Sequence, residues 1–248
     1  MIWEACQGPD QIKPIKGRLY RLVESQEQVA TLGYVDTLEE QALLEDMLED
    51  VKPVQPEAPD ELHYLLKTPF RYPPLQWGSR FGSPHEPSLF YGGLDIGVTL
   101  AESAYYRFVF WYSIQGVPVK KRILTEHTLF SVDYVTSLGV QLQSEPFRQH
   151  RDRLIHPRQY ADTQAAGIAM RQSGVEAFEY ESARIHDCGD CVALFTPAAF
   201  VQTAPTDTHQ WFCEVSATEV SFRRLRSKEV SVYALQDFLV DDTLPLPA

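Results

Sequence analysis

Hydrophobic residues recur along this chain with two periods, and the places where the period changes mark out its elements. Leu38, Leu43, Leu44, Met47, Leu48 and Val51 fall at helical spacing, which predicts a helix there. Asp36 with Glu39 three residues on has the form of a capping box at its start. Pro53, Pro56 and Pro59 then predict an extended connector, since proline fixes φ and offers no N–H. Val98 to Tyr112 contains neither Gly nor Pro and is apolar on most sides, so it reads as a buried helix. Pro157 to Ser173 reads as another. Pro157 suits its first turn, Ala161, Ala165, Ile168 and Ala169 share a face, and Gly174 suits the stop.

Period-two and β-favouring runs lie between these helices. Arg18 to Val23 is a short strand candidate. Val117 to Asp133 reads as two strands around a polar turn. Val175 to Arg184 alternates, with Phe178, Tyr180 and Ser182 on one face and Glu179 and Glu181 on the other. Cys191 to Phe195, Trp211 to Val215 and Val220 to Leu225 continue as strands. A Pro- and aromatic-rich stretch, Leu65 to Trp77, leads into a Gly-punctuated loop, Gly78 to Gly93, around Leu89-Phe90-Tyr91. The regular β-α-β rhythm of a doubly wound sheet is missing. The pattern predicts an α+β fold, with mixed, mainly antiparallel sheets and flanking helices.

Composition narrows the function classes. With 248 residues, 44% of them hydrophobic, the chain can bury a core, which excludes a disordered or fibrous protein. Lys and Arg number 22 against 34 Asp and Glu, a formal charge of −12. That balance argues against direct nucleic-acid binding and against an anionic membrane surface. Ten acids and a single base, Lys52, lie between Asp36 and Glu61. They read as the solvated face of the helix there in preference to an acidic binding surface. Outside that window 24 acids face 21 bases, so a local basic site is compatible with the rest. The longest run free of charged residues, Cys191 to Thr206, contains Pro197 and Pro205 and falls short of the ~20 apolar residues of a spanning helix. Glu4 and Asp10 interrupt the opening residues, so no secretion signal is expected. Four cysteines are too few for a disulfide scaffold in a chain this long. A soluble cytoplasmic protein is the expectation.

The chain carries no Gly-x-Gly-x-x-Gly between strand and helix, no Walker-type Gly-Lys-Ser/Thr, no His-Glu-x-x-His and no Gly-x-Ser-x-Gly. Cys188-Gly-Asp-Cys191 beside His186 has the spacing of a metal hook or a redox pair. A closed zinc site needs four ligands, and Cys6 and Cys213 are far away in the chain. A turn with incidental cysteines is therefore favoured, and no metal is expected.

Three features carry chemistry. Arg80 sits on a glycine-flanked loop, Gly78-Ser79-Arg80-Phe81-Gly82, whose backbone can approach a ligand closely. Glu102 lies in the apolar helix, with Val98, Thr99, Tyr105 and Tyr106 as helical neighbours. Its carboxylate is desolvated unless a cation or hydroxyl meets it. Ser182 closes a strand face after two aromatics and is followed by Arg184.

The run GSRFGSPHEPSLFYGGLDIGVTLAESAYYR, followed by YESAR, resembles the RES domain, a bacterial family named for its Arg, Glu and Ser. The resemblance spans about Arg18 to Phe200 and makes Arg80, Glu102 and Ser182 the catalytic residues. It assigns Tyr91, Arg80, Ser182 and, on the first strand, Arg21 to substrate binding, with Arg18 or Arg71 as rivals for that last part. Phe81 stands where many members have Trp. Residues 1–61 are then an N-terminal strand and acidic helix extension, and 62–248 the RES-like catalytic region of one compact whole. The family implies a fold similar to that of ADP-ribosyltransferase toxins. It also implies an enzyme that degrades NAD as a phosphorylase or glycohydrolase, with NAD as substrate and no resident cofactor. Inorganic phosphate is a candidate acceptor, and an Xre-type antitoxin a candidate partner. Two alternatives remain open: an ADP-ribosyltransferase acting on a macromolecule, and a catalytically silent interaction module.

Overall fold

A computed structural model of the protein describes residues 1–25, 35–50, 61–116, 120–185 and 189–246. The strands are β1 (Lys13–Glu24), β2 (Phe90–Gly93), β3 (Ile123–Gln141), β4 (Ala177–Glu181), β5 (Asp190–Leu194), β6 (Asp207–Val215), β7 (Glu219–Arg224) and β8 (Ser231–Ala234). Among the described residues they form one eight-stranded sheet in the order β1-β2-β5-β4-β3-β6-β7-β8, and β1 also pairs with β3. Five strands therefore close into a ring of pairings, β1-β2-β5-β4-β3, from which β6, β7 and β8 extend. Every pairing is antiparallel except β3 with β4. The helices α1 (Ile2–Ala5), α2 (Leu38–Asp50), α3 (Tyr64–Arg71), α4 (Ile96–Ser113), α5 (Arg151–Leu154) and α6 (Ala161–Gln172) flank it. This is the α+β, mainly antiparallel architecture that the patterning predicts.

Burial on both faces explains why the central strands read as they do. Along β4 and β5, Phe178, Tyr180, Cys191 and Ala193 enter one apolar cluster, while Ala177, Val192 and Leu194 enter another. The face that bears Glu179 thus has no open water beside it. Glu179 is 6% exposed, and it accepts from the Tyr134 hydroxyl at 2.7 Å, Gln141 Nε2 at 2.8 Å and Gln143 Nε2 at 3.1 Å. A third cluster joins α4 to the extension through Leu100, Tyr105, Phe108 and Trp111 against Trp211, Val215, Val220 and Phe222.

The structure corrects several boundaries. The two strands expected from Val117 to Asp133 are one, β3, which runs on to Gln141. Its first half looks polar because Thr125, Glu126, His127 and Thr128 follow one another, Glu126 facing solvent and His127 buried against Arg107 and the Thr125 hydroxyl, not because a turn interrupts it; Val117 itself lies outside the described residues. The helix around Glu102 runs from Ile96, capped by the Asp95 carboxylate accepting from Val98 N at 2.9 Å, and it is not buried all round. Tyr106, Phe110 and Tyr112 are about half exposed along its outer side. The helix expected from Pro157 begins at Ala161, and its buried face is Thr163, Ala166, Gly167, Ala169 and Met170; of the expected stripe Ala169 is buried, Ala165 and Ile168 are partly so, and Ala161 is exposed. Gly174, at φ +79°, ends it as expected. α3 occupies the first part of the Pro- and aromatic-rich stretch, to which the patterning assigns no element, with Pro69 inside it. The cap of α2 is shifted by one residue: Thr37 Oγ1 accepts from Glu40 N at 3.1 Å and Glu40 Oε2 accepts from Asp36 N at 2.9 Å. Leu38, Leu43, Met47 and Leu48 are exposed there, so that helix gains little from burial. Val51 and the prolines at 53, 56 and 59 lie outside the described residues. Among the described residues, no helix is long and apolar enough to cross a membrane.

Candidate active site

The ring of strands closes through a single pair, Tyr20 with Gly93. Beyond that pair β1 and β2 part, and the Arg21 guanidinium spans the gap by donating from Nη1 to the Tyr91 carbonyl at 2.5 Å. Its charge lies over the Phe90 ring, 4.9 Å from the centroid. Arg21 Nε is buried and makes no hydrogen bond among the described residues. Among the described residues no carboxylate forms an ion pair with this guanidinium. Burial pulls its pKa down to about 10, which leaves a charged, uncompensated cation at neutral pH.

Arg80 is presented by a loop with little freedom. Gly78 has φ +73°, and a Cβ there would lie 2.2 Å from the Gly82 carbonyl oxygen, so only glycine fits. Ser79 N donates to that oxygen at 2.8 Å, and Gly82 N donates to Ser79 Oγ at 3.1 Å. The Tyr91 hydroxyl lies 2.8 Å from Ser79 Oγ and accepts from Phe81 N at 3.2 Å. Phe81 is fully buried and meets Phe178 and Tyr180 edge-on at 4.8 and 4.9 Å. Behind the loop, α6 comes so close that a Cβ on Gly167 would lie 1.9 Å from the Phe81 carbonyl oxygen. Arg80 then donates from Nη1 to the carbonyls of Leu154 at 3.3 Å and His156 at 3.0 Å, with its guanidinium over the Tyr160 ring at 4.7 Å.

Glu102 sits on the second turn of α4, which Thr99 ties to β1 by donating to the Tyr20 carbonyl at 3.2 Å. The hydroxyl expected from the helical pattern is there. Ser182 Oγ donates to Glu102 Oε1 at 2.5 Å and itself accepts from Arg184 N at 3.1 Å. Glu102 Oε2 has no protein donor among the described residues. Arg184 donates from Nη2 to the Pro157 carbonyl at 3.2 Å and the Tyr160 hydroxyl at 2.9 Å, and its charge stands 3.5 Å from the centre of the Tyr105 ring. The segment from Leu154 to Tyr160 thus anchors Arg80 and Arg184 together.

Arg21, Arg80, Tyr91 and Glu102 line one cleft of about 490 Å³, beside Arg107, His127, Tyr160 and Arg184, within the usual size range of a small-molecule site. Arg107 donates to Glu24 at 2.8 Å and contacts His127 Nε2 at 2.6 Å. Burial, and then the Arg107 charge, bring the His127 pKa down to about 4. Burial pushes the Tyr91 phenol up to about 12. Both groups are neutral at pH 7, so four arginines stand against Glu24 and Glu102 in the cleft of a chain with net charge −12. An anion is drawn into such a place.

All five residues that the sequence singles out meet at this cleft, Ser182 through its bond to Glu102. The rivals of Arg21 do not. Arg18 is half exposed and donates to Asp133 at 2.7 Å, and Arg71 is not among the lining residues. Tyr91, which the resemblance assigns to substrate binding, lines the cleft; its hydroxyl braces the Arg80 loop and its ring meets Tyr180 edge-on at 6.4 Å. Arg107, His127 and Tyr160 escaped the sequence reading. Tyr160 acts through its ring and hydroxyl beside backbone carbonyls, and carbonyls leave no trace in a residue pattern. Among the described residues, no group of three or more His, Cys, Asp or Glu could hold a metal ion; His186 and Cys188 lie outside them.

A family model described as the RES domain matches residues 56–215 of the chain. Arg80, Tyr91, Glu102 and Ser182 fall inside that span and Arg21 before it. No curated protein matches the chain.

Proposed function

The chain belongs to the RES domain family, and from that premise we propose that it cleaves the bond between nicotinamide and ribose in NAD. The family is associated with NAD-directed toxins and with antitoxin partners. The observation that carries the reading is Glu102: a carboxylate with one oxygen held by Ser182 and the other without a protein donor among the described residues, in an arginine-walled cleft.

Each group has a task in that chemistry. The arginines take the pyrophosphate, Arg21 foremost, because among the described residues its Nε has no partner and its charge no counter-ion. Arg80 and Arg184 already spend hydrogen bonds on carbonyls, so they act mainly through their field and by shaping the cleft. As the C1′–N bond breaks, nicotinamide leaves as a neutral molecule with the electron pair, and positive charge builds on the ribose. Glu102 stabilises that charge and orients a ribose hydroxyl through Oε2, while Ser182 and the Arg184 N–H keep the carboxylate in place. The acceptor oxygen, from inorganic phosphate or from water, closes the bond to C1′. A water acceptor releases one proton. Tyr91 works as a brace for the Arg80 loop.

In the cell this activity makes the protein the toxin of a toxin–antitoxin pair with an Xre-type partner. The test is nicotinamide release from NAD by the purified chain, with and without inorganic phosphate. Release in either condition is expected, and a rate rising with phosphate identifies phosphorolysis. A folded, partner-free protein that releases none would defeat the reading, and label transfer from NAD to a macromolecule would replace cleavage by ADP-ribosylation.

A further inference from the structure

A second cavity, of about 450 Å³, opens directly beside the cleft and shares Arg21, Glu24, Leu75, Ser79 and Tyr91 with it. Both cavities occupy the gap where β1 and β2 have parted, one on the side of Glu102 and α4, the other on the side of α3. We propose that this second cavity is the seat of the adenosine half of the dinucleotide, so that the ligand straddles Arg21. The proposal rests on the NAD reading and adds where the other half of the molecule goes.

Three observations carry it. The first is the position of Arg21, whose buried Nε is unpartnered among the described residues and lies at the boundary of the two cavities. A pyrophosphate is the part of the ligand that joins two halves, and this is the place where two cavities join. The second is the chemistry of the wall. Tyr72, Pro74, Leu75 and Leu89 supply flat and apolar surface, and the hydroxyls of Thr68 and Thr128 stand among them. That combination suits a planar heteroaromatic base with its ribose. The third is charge. Arg21 is the only base and Glu24 the only acid among the described residues of the lining. The cavity therefore fits an uncharged group hung on a phosphate and offers nothing to a further phosphate.

The probe is AMP, which carries the adenosine and one phosphate and cannot be cleaved to nicotinamide. Calorimetry on the full chain should detect AMP binding, and Thr68→Trp or Ser88→Phe, each adding bulk to the lining, should weaken it at least tenfold. Hydrogen exchange on the unmodified protein gives a readout independent of the variants. AMP should protect the backbone from Tyr64 to Leu75 and around Arg21. No AMP binding, protection confined to the Glu102 side, or undiminished binding by a variant with native melting would each overturn the proposal. A chain that binds AMP in this way and releases no nicotinamide keeps this subsite and loses the cleavage reading. A chain that releases nicotinamide without that protection does the reverse.

Discussion

Two glutamates on neighbouring elements are held in opposite ways. Glu179, on β4, is nearly inaccessible and receives three donors shared over both oxygens. Glu102, on α4, receives one donor on one oxygen and looks into a cavity lined by arginines. A buried carboxylate costs several kcal/mol unless its lone pairs are met. Glu179 is therefore a saturated strut between β3 and β4. Glu102 keeps part of its bonding capacity unspent, and this is what a group must have if it is to act on something else. Burial alone does not distinguish the two carboxylates' capacity to bind something further, whereas the count of donors does.

That contrast can be broken by experiment. The largest expected effect is on chemistry: Glu102→Gln should lower nicotinamide release by ~10²–10⁴, with thermal melting shifted little. Equal losses of rate and stability would erase the distinction. Glu179→Ala should do the converse, costing about 3 kcal/mol in urea unfolding because the Tyr134 hydroxyl and two amides lose their acceptor. The surviving folded fraction should turn over NAD within a fewfold of normal.

His127 tests a third situation, a cleft-wall group kept neutral by burial and then by the Arg107 charge, against the opposing pull of Glu24. Its pKa is about 4 when folded and near 6.5 in the unfolded chain. Between those values the unfolded state holds the extra proton, so stability is full above pH 6.5 and falls as pH drops towards 4, by roughly 3 kcal/mol. Urea unfolding at pH 7, 5.5 and 4.5 should show that slope and its loss in His127→Gln. The smallest effect is expected from Ser182→Ala, which frees Glu102 Oε1 without removing the charge. About a tenfold drop in kcat should follow, as for the loss of one hydrogen bond to a charged group, with the KM for NAD nearly unchanged.

Much of this site was legible beforehand because its residues are chemically odd where they stand. A glutamate in an apolar helix demands a partner, and a hydroxyl two residues past paired aromatics supplied it. Arg80 announced itself through the glycines that its loop requires. The anchoring of the two arginines was not legible, since Leu154, His156 and Pro157 contribute carbonyl oxygens that any residue carries. Long-range closure was also hidden. β3 pairs with β1, β4 and β6, and a strand with so many neighbours has faces whose polarity changes along its length, which is why its first half resembled a separate element. The helix of Glu102 looked buried because Tyr106, Phe110 and Tyr112 count as apolar, yet all three are about half exposed, Tyr106 at the cleft and the Tyr112 hydroxyl donating to the Ala217 carbonyl.

The lone pair of residues that joins β1 to β2 has a consequence for how such a protein can change over generations. Where a ladder would have sealed the opening with main-chain bonds, the seam is crossed by one arginine side chain. Main-chain ladders are the same for every sequence, whereas side chains can be exchanged one at a time. Substitutions along this seam can retune what enters and how tightly it is gripped, while the other strand pairings carry the architecture unaltered.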